Sequence, residues 1–538
     1  MKRACAFLLF VCAPVLLAQS PDEEGSRRAS IASPASSALD RRSTPAASTP
    51  SATPASDGRS TEHRGDAKDT PKDQISTTHH TGSIGGQPIS YTANTGTMVM
   101  KDEEGNPIAS FFFTAYTRDG ADPAKRPVTY TFNGGPGSSS VWLHMGAFGP
   151  KRVAYADDAG HAAAPPYKLV DNEDSILDVT DLVFIDPVTT GYSRAIPFKD
   201  AGRFHGVDAD IQSVGEFIRL WTTRYNRWLS PKFLAGESYG TTRAAGLSGW
   251  LQQQGVYLNG IVLISSVLNF ETSQFDSGND LAYVLFLPTY SSIAWYHKRL
   301  AADLQGQPVE KVAAAAEQFA LNEYTHALMV GDQVPEAERK NVVAQLARFT
   351  GLSPQYVEQS NLRIRIDRFD KELLRDQRRS VGRLDGRFIG IDRDAAGESN
   401  DYDPSYSAIF GEYTAVFNDY TRRTLKFESD LPYEILTGKV RPWSYDRNQN
   451  HYLDVGETLR SAMTQNPYLK VFVANGYYDL ATPFAATRYT FNRMQLDPAI
   501  RKNLSMDYFE SGHMVYIDRA AHARLKADVL KFIAQSLP

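Results

Sequence analysis

Cysteine is nearly absent from this 538-residue chain: Cys5 and Cys12 are the only two, and both lie in an apolar run near the N-terminus. Past that run there is no disulfide, thiol nucleophile or Cys-based metal site to consider. An excess of basic charge is missing too. Lys and Arg number 57 against 62 Asp and Glu, a formal net charge of −5, so no basic field draws nucleic acid or anionic lipid to the surface. After the first run, no stretch is apolar for long enough to span a bilayer as a helix. There is no internal repeat, and no cofactor motif.

What is present is a globular composition, 42% hydrophobic and 11% aromatic, enough for a substantial core. Lys2 and Arg3 precede the apolar run Ala4–Ala18, which is short for a bilayer span and ends in small and polar residues. Residues 1–18 therefore read as a secretory signal, and the chain as exported to a periplasm or the exterior. Residues 19–80 are rich in Ser, Thr, Pro and Ala with almost no aromatics. Such a segment buries too little apolar surface to offset the entropy of ordering and reads as a disordered tether; its tandem His79 and His80 read as part of that tail. Order is expected from near Gly82.

From there Ile89–Met100 and Ile108–Tyr116 read as a hairpin, and Val128–Phe132 as a strand running into a glycine-rich turn. Asp181–Ile185, Phe233–Ala235, Asn259–Ser265, Leu469–Ala474 and Leu504–Phe509 read as strands, and Val207–Leu229 and Ala520–Gln535 as helices. Apolar strands alternating with helices predict an α/β fold with a mainly parallel central sheet flanked by helices. Between about 270 and 426 the patterns are helical, as in Val309–Val330, Glu336–Phe349 and Arg368–Arg379. That block is expected to be a cap inserted into a single domain spanning residues 81–538.

The strongest chemical signal is Gly236-Glu237-Ser238-Tyr239-Gly240, a G-x-S-x-G pattern led in by a strand and out by a helix, Arg243–Gln252. This is the nucleophile elbow of α/β-hydrolases, where a strained strand-to-helix turn lifts the serine hydroxyl above the sheet and small residues are needed on both sides. Ser238 is the expected nucleophile. A serine needs a base, and in this fold acid and then histidine follow in the chain. His513, in Glu510-Ser-Gly-His-Met514, sits in a loop just after a strand; His451 and His522 are less well placed, the latter in the terminal helix. Asp479 follows the strand Leu469–Ala474, whereas Asp507 lies within a strand and Asp518 comes after His513. The expected catalytic set is Ser238, Asp479 and His513. Asn133-Gly-Gly-Pro-Gly137 can aim a backbone N–H at a developing oxyanion, with the N–H after the nucleophile as second donor, which assigns Gly135 and Tyr239. Phosphate cradling is the rival use of such a turn, but no Lys-Ser/Thr ending or GxGxxG spacing accompanies it.

Asn133–Ser140 (NGGPGSSS), Gly236–Gly240 (GESYG), Asn475–Asp479 with Pro483, and Gly512-His-Met514 resemble the signature blocks of the serine carboxypeptidases. Leu182–Ser193 (LVFIDPVTTGYS) is similar to a further strand-and-loop segment of that family. The resemblance, that of a bacterial exported member, runs from about Gly82 to the end. It implies an acyl-enzyme route that releases C-terminal amino acids from peptides. It also implies that Asn133, the Gly134 backbone and a protonated Glu237 recognise the substrate's free carboxylate. Two positions depart from the family. Ala147 stands where a second glutamate usually pairs with the one before the serine, leaving burial and the local field to raise the pKa of Glu237. Ser138 stands where eukaryotic members have a disulfide cysteine.

Other readings stay open at this point. The same triad serves an esterase or acyltransferase, and a non-catalytic binding protein is a third possibility. Asp446, Asn448, Asn450, Tyr452, Asp454 and Glu457 fill a calcium-loop pattern, although His451 occupies the position that wants glycine; a polar loop capping the next helix is the alternative. Trp295, Tyr296, Tyr402 and Tyr406 are candidates for an aromatic subsite in the cap or for core packing.

Overall fold

The computed structural model describes residues 71–537. The signal expected over 1–18 and most of the tether lie outside the described residues.

The central sheet has ten strands. In chain order they are β1 (Gln74–Ile84), β2 (Gln87–Lys101), β3 (Pro107–Arg118), β4 (Val128–Phe132), β5 (Asp181–Ile185), β6 (Arg194–Ala195), β7 (Lys232–Ser238), β8 (Gly260–Ser266), β9 (Lys470–Gly476) and β10 (Leu504–Phe509). Their spatial order is β1-β2-β3-β5-β4-β7-β8-β9-β10, with the short β6 against β3. The pairs among β1, β2, β3 and β5 are antiparallel, and every pair from β5 to β10 is parallel.

Strands covered on both faces favour apolar residues, and the parallel strands carry apolar runs such as Leu182–Ile185, Phe233–Ala235, Ile261–Ile264 and Val471–Ala474. Alternate residues go to opposite faces. Phe233, Ala235, Val262, Ile264, Phe472 and Ala474 join the core on one side with Leu525, Val529 and Phe532, which belong to the C-terminal helix Arg519–Ser536. Leu234, Ile261, Leu263, Val471 and Val473 join the core on the other side. There they meet Val214, Phe217, Ile218 and Trp221 of helix α1 (Val207–Arg224) and Ala244 and Leu247 of helix α2 (Tyr239–Gln253). This layering of helices on both faces of a mainly parallel sheet is the α/β-hydrolase fold.

Between β8 and β9 the chain leaves the sheet for a mostly helical excursion that includes α3 (Leu281–Tyr296) and α4 (Pro404–Arg423). Much of it packs around a core of its own, which also takes in Tyr478 and Leu480 beside Asp479. A two-stranded ladder, Arg379–Val381 with Ile389–Ile391, interrupts the helices.

Some elements differ from expectation. Order begins within the expected tether, because β1 starts at Gln74 and pairs along its whole length with β2. Its composition misleads because it is an edge strand: half its side chains face water, so Thr, Ser and His suffice, and His80 stacks on Tyr91 at 5.2 Å. α1 stops at Arg224, five residues before the expected end. The helix expected over Arg368–Arg379 is confined to Ile366–Glu372, since Arg379 begins the small ladder. The stretch Val309–Val330 is helical throughout but widens through one π-type turn at Ala320–Tyr324.

Candidate active site

Parallel sheets bind ligands beyond the C-terminal ends of their strands. Here Asn133 follows β4, Ser238 closes β7, Asp479 follows β9 and His513 follows β10. Asn133, Gly134, Gly135, Glu237, Ser238 and His513 line one cleft of about 330 Å³.

Ser238 has φ 59° and ψ −131°, a strained conformation for a residue with a side chain. It holds because the neighbours leave one path. A Cβ on Gly236 would lie 2.2 Å from the Gly240 carbonyl oxygen, and one on Gly240 would lie 2.8 Å from the Phe132 carbonyl oxygen. The glycine-rich turn crosses the start of α2 as closely, since a Cβ on Gly134 would sit 2.4 Å from the Tyr239 nitrogen. The Asn133–Gly135 backbone and the Tyr239 N–H therefore adjoin Ser238.

His513 Nδ1–H donates to Asp479 Oδ2 at 2.9 Å. Asp479 is fully buried, and its oxygens also accept from the Ala481 and Thr482 N–H groups at 2.8 and 3.0 Å and from Thr482 Oγ1 at 2.7 Å. Burial alone would push the His513 pKa down. The charge and hydrogen bond of Asp479, helped by the charge of Glu237, outweigh that and raise it above the usual value. Ser238 and His513 share the cleft without a direct hydrogen bond between their side chains, a gap common in unliganded hydrolases.

Glu237 is 3% exposed. Asn133 Nδ2 donates to its Oε1 at 3.0 Å and Tyr516 OH to its Oε2 at 2.5 Å. Burial raises the Glu237 pKa to about 7, against the opposing pull of the His513 charge and of the Tyr516 and Asn133 hydrogen bonds. Asn133 is itself fixed, its Oδ1 accepting from Leu143 N–H at 3.0 Å and its carbonyl from Arg243 Nη1 at 2.6 Å. Arg243 is in turn paired with buried Asp210. Ala147 is buried, and its carbonyl accepts from Asn172 Nδ2 and the His522 ring at 2.8 Å each. His522 thus packs inside the protein.

The histidine loop is tied to the helical excursion. His513 N–H donates to the Leu384 carbonyl at 2.7 Å and Gly512 N–H to Asp385 Oδ2 at 3.1 Å. Arg387 pairs with both Asp385 and Asp518. Asp518 also caps the C-terminal helix through Ala521 N–H, and Asp507 pairs with Arg524. Ser138, at the position of the family's cysteine, accepts from Trp142 Nε1 at 3.0 Å and donates to the Ile435 carbonyl at 3.2 Å.

With this geometry in view, the family model of the serine carboxypeptidases matches residues 85–515. The chain belongs to the serine carboxypeptidase family. Among its relatives, serine carboxypeptidase-like 34 of Arabidopsis thaliana is 26% identical over 204 residues, 35% of this chain and 38% of that protein. Serine carboxypeptidase-like 19 of the same plant is 27% identical over 159 residues, 28% of this chain and 31% of that protein. The chain's matches thus span about a third of the length of these curated relatives. A prohormone-processing carboxypeptidase from Saccharomyces cerevisiae shares the fold, with a TM-score of 0.52 at 16% identity, over 83% of this chain and 91% of that one.

Sequence reasoning missed several residues of this family member's site. Tyr516 and Thr482 follow His513 and Asp479 by three residues each, which was the available signal. Trp142, Arg383 and Arg441 also line the cleft, and so does Tyr406, one of the aromatic candidates. Trp295 and Tyr296 instead line a separate pocket beside Arg387 and Tyr478, and Tyr402 OH donates to the Ile391 carbonyl at 3.2 Å. In the calcium-like loop, Asp446 accepts from Asp208 N–H and Ser444 Oγ at 2.9 Å each. Asp454 caps the helix Gly456–Gln465 through Gly456 N–H at 2.7 Å, and among the described residues no group of His, Cys, Asp and Glu is arranged to hold a metal ion. Among the described residues, no helix is long and apolar enough to cross a membrane.

Proposed function

We propose that this protein is a serine-type carboxypeptidase that releases C-terminal amino acids from peptides. The observation that carries this is Glu237: a buried acid with a pKa near 7 beside Ser238 and His513, suited to hydrogen-bond a free carboxylate while neutral. In this reading Ser238 Oγ attacks the scissile carbonyl and its proton passes to His513, which Asp479 orients and stabilises when charged. The N–H groups of Gly135 and Tyr239 receive the negative oxygen. The tetrahedral adduct collapses, the C–N bond breaks, and His513 returns the proton to the departing amine. Water, deprotonated by His513, then hydrolyses the ester on Ser238. Asn133, the Gly134 backbone and protonated Glu237 hold the substrate's terminal carboxylate until the C–N bond breaks, and the released amino acid takes it away before water enters.

The basic-then-apolar start of the chain supports export by a cleaved signal, testable by sequencing the N-terminus of the mature protein. For the chemistry, a fluorophosphonate should label the protein, and Ser238→Ala should remove the label. N-blocked dipeptides should be cleaved as free acids and resist cleavage as C-terminal amides. Turnover of simple esters with no peptide cleavage would favour an esterase or acyltransferase using the same residues.

A further inference from the structure

The cleft has basic walls that the proposed chemistry leaves unused. Arg383 and Arg441 both line it, both are exposed, and among the described residues neither guanidinium has an ion-pair or hydrogen-bond partner. Other cations nearby are occupied: Arg387 by Asp385 and Asp518, Lys439 by Glu434. Among the described residues, the only acidic side chain lining the cleft is Glu237, which is buried beneath it. The two arginines also stand on different sides of the site. The Arg383 carbonyl accepts from Leu480 N–H at 3.1 Å, next to Asp479, and the following residue, Leu384, accepts from His513 N–H at 2.7 Å. Arg383 is therefore held on the side of His513, which protonates the departing residue. Arg441 ends a segment laid along the glycine-rich turn, with Ser139 N–H bonded to the Ile435 carbonyl and Thr437 N–H to the Gly137 carbonyl, at 2.9 Å each. It stands beside the glycine-rich turn that carries the oxyanion donor Gly135.

Resting on the carboxypeptidase reading, we infer that the enzyme selects acidic side chains at the scissile bond, Arg383 reading the C-terminal residue and Arg441 the one before it. The chain is acidic overall, with a net charge of −5, so the preference is local to these guanidiniums. A guanidinium binds a carboxylate through charge-assisted hydrogen bonds that an amide of equal size does not supply.

The test uses N-blocked dipeptides ending in Ala-Glu or Ala-Gln, and in Glu-Ala or Gln-Ala, with Ala-Ala as neutral reference. The readout is the ratio of kcat/KM for Glu over Gln at each position, so that a general loss of activity cancels. The wild type should favour Glu roughly fivefold or more at both positions, at the upper end of exposed pairs and falling with added salt. Arg383→Gln should abolish the preference at the last position alone, and Arg441→Gln at the penultimate one alone. No preference in the wild type, or one that survives both substitutions, overturns the inference; an exchange of the two effects overturns the assignment of sides. Failure to cleave Ala-Ala would instead count against the carboxypeptidase reading itself.

Discussion

Glu237 has to serve opposite ends. To bind a free carboxylate it must keep its proton, yet Tyr516 and Asn133 both donate to it and so favour the ionised form. Burial wins and sets its pKa near 7, while His513 is held above its usual value by Asp479. In the proposed mechanism the base is active when His513 is neutral, and carboxylate recognition requires Glu237 to be neutral. For free-acid peptides, kcat/KM should therefore fall on the acid side as His513 gains a proton, and on the alkaline side as Glu237 loses one near pH 7. Their charges interact, so the two limbs belong to the pair. Glu237→Gln, always neutral, should flatten the alkaline limb, and simple ester substrates should lack it from the start. Tyr516→Phe removes a donor that favours the anion, so the alkaline limb should move to higher pH. Unchanged profiles in both variants would remove Glu237 from substrate recognition. The protonated form of Glu237 was expected from the family resemblance, and Ala147, which removes the usual carboxylate partner, counted against it; burial raises the pKa all the same. Tyr516 was not legible, because only the fold brings the turn after His513 onto the end of β7.

At the scale of elements, the sheet strands were the easiest to read. Runs such as Val471–Ala474 are apolar at every position because both faces are covered, and the G-x-S-x-G turn marks a junction that close backbone approach forces to be glycine. Helices of the excursion were legible in type but not in extent: Arg379 leaves its helix for a ladder with Ile391, a pairing that no local pattern announces. The same region carries an obligation invisible in the sequence. Leu384, Asp385 and Arg387 brace the His513 loop from outside the sheet. Asp385→Ala would leave Arg387, 7% exposed, with Asp518 as its only ion-pair partner and would free the Gly512 N–H. Breaking a buried pair from one side costs about 3–5 kcal/mol, an upper bound here because Asp518 remains. The variant should show a lower Tm and at least a tenfold loss of kcat. Loss of Tm with kcat intact would mean that the excursion stabilises the protein without positioning His513.

For the whole molecule, the described residues contain no cysteine, so the sheet must hold by packing and hydrogen bonding alone. Its weakest boundary is the antiparallel end. There β1 pairs along its full length with β2, whose Ile89, Tyr91 and Ala93 belong to the core. An uncovered β2 would present a row of unpaired backbone groups beside apolar side chains, the arrangement that invites association with a second chain. β1 is thus a cover strand, polar on its outer face because it needs to bury little. Its polarity is also why its sequence reads as a tether. Deleting residues 71–84 should lower Tm by a few degrees, at roughly 1 °C per kcal/mol for a domain of this size. It should also increase light scattering on heating, while activity at low temperature persists, since β1 lies at the far end of the sheet order from β9 and β10. A deletion variant that melts and aggregates like the full chain would show that β2 needs no cover, and that the sheet's stability resides in its parallel half.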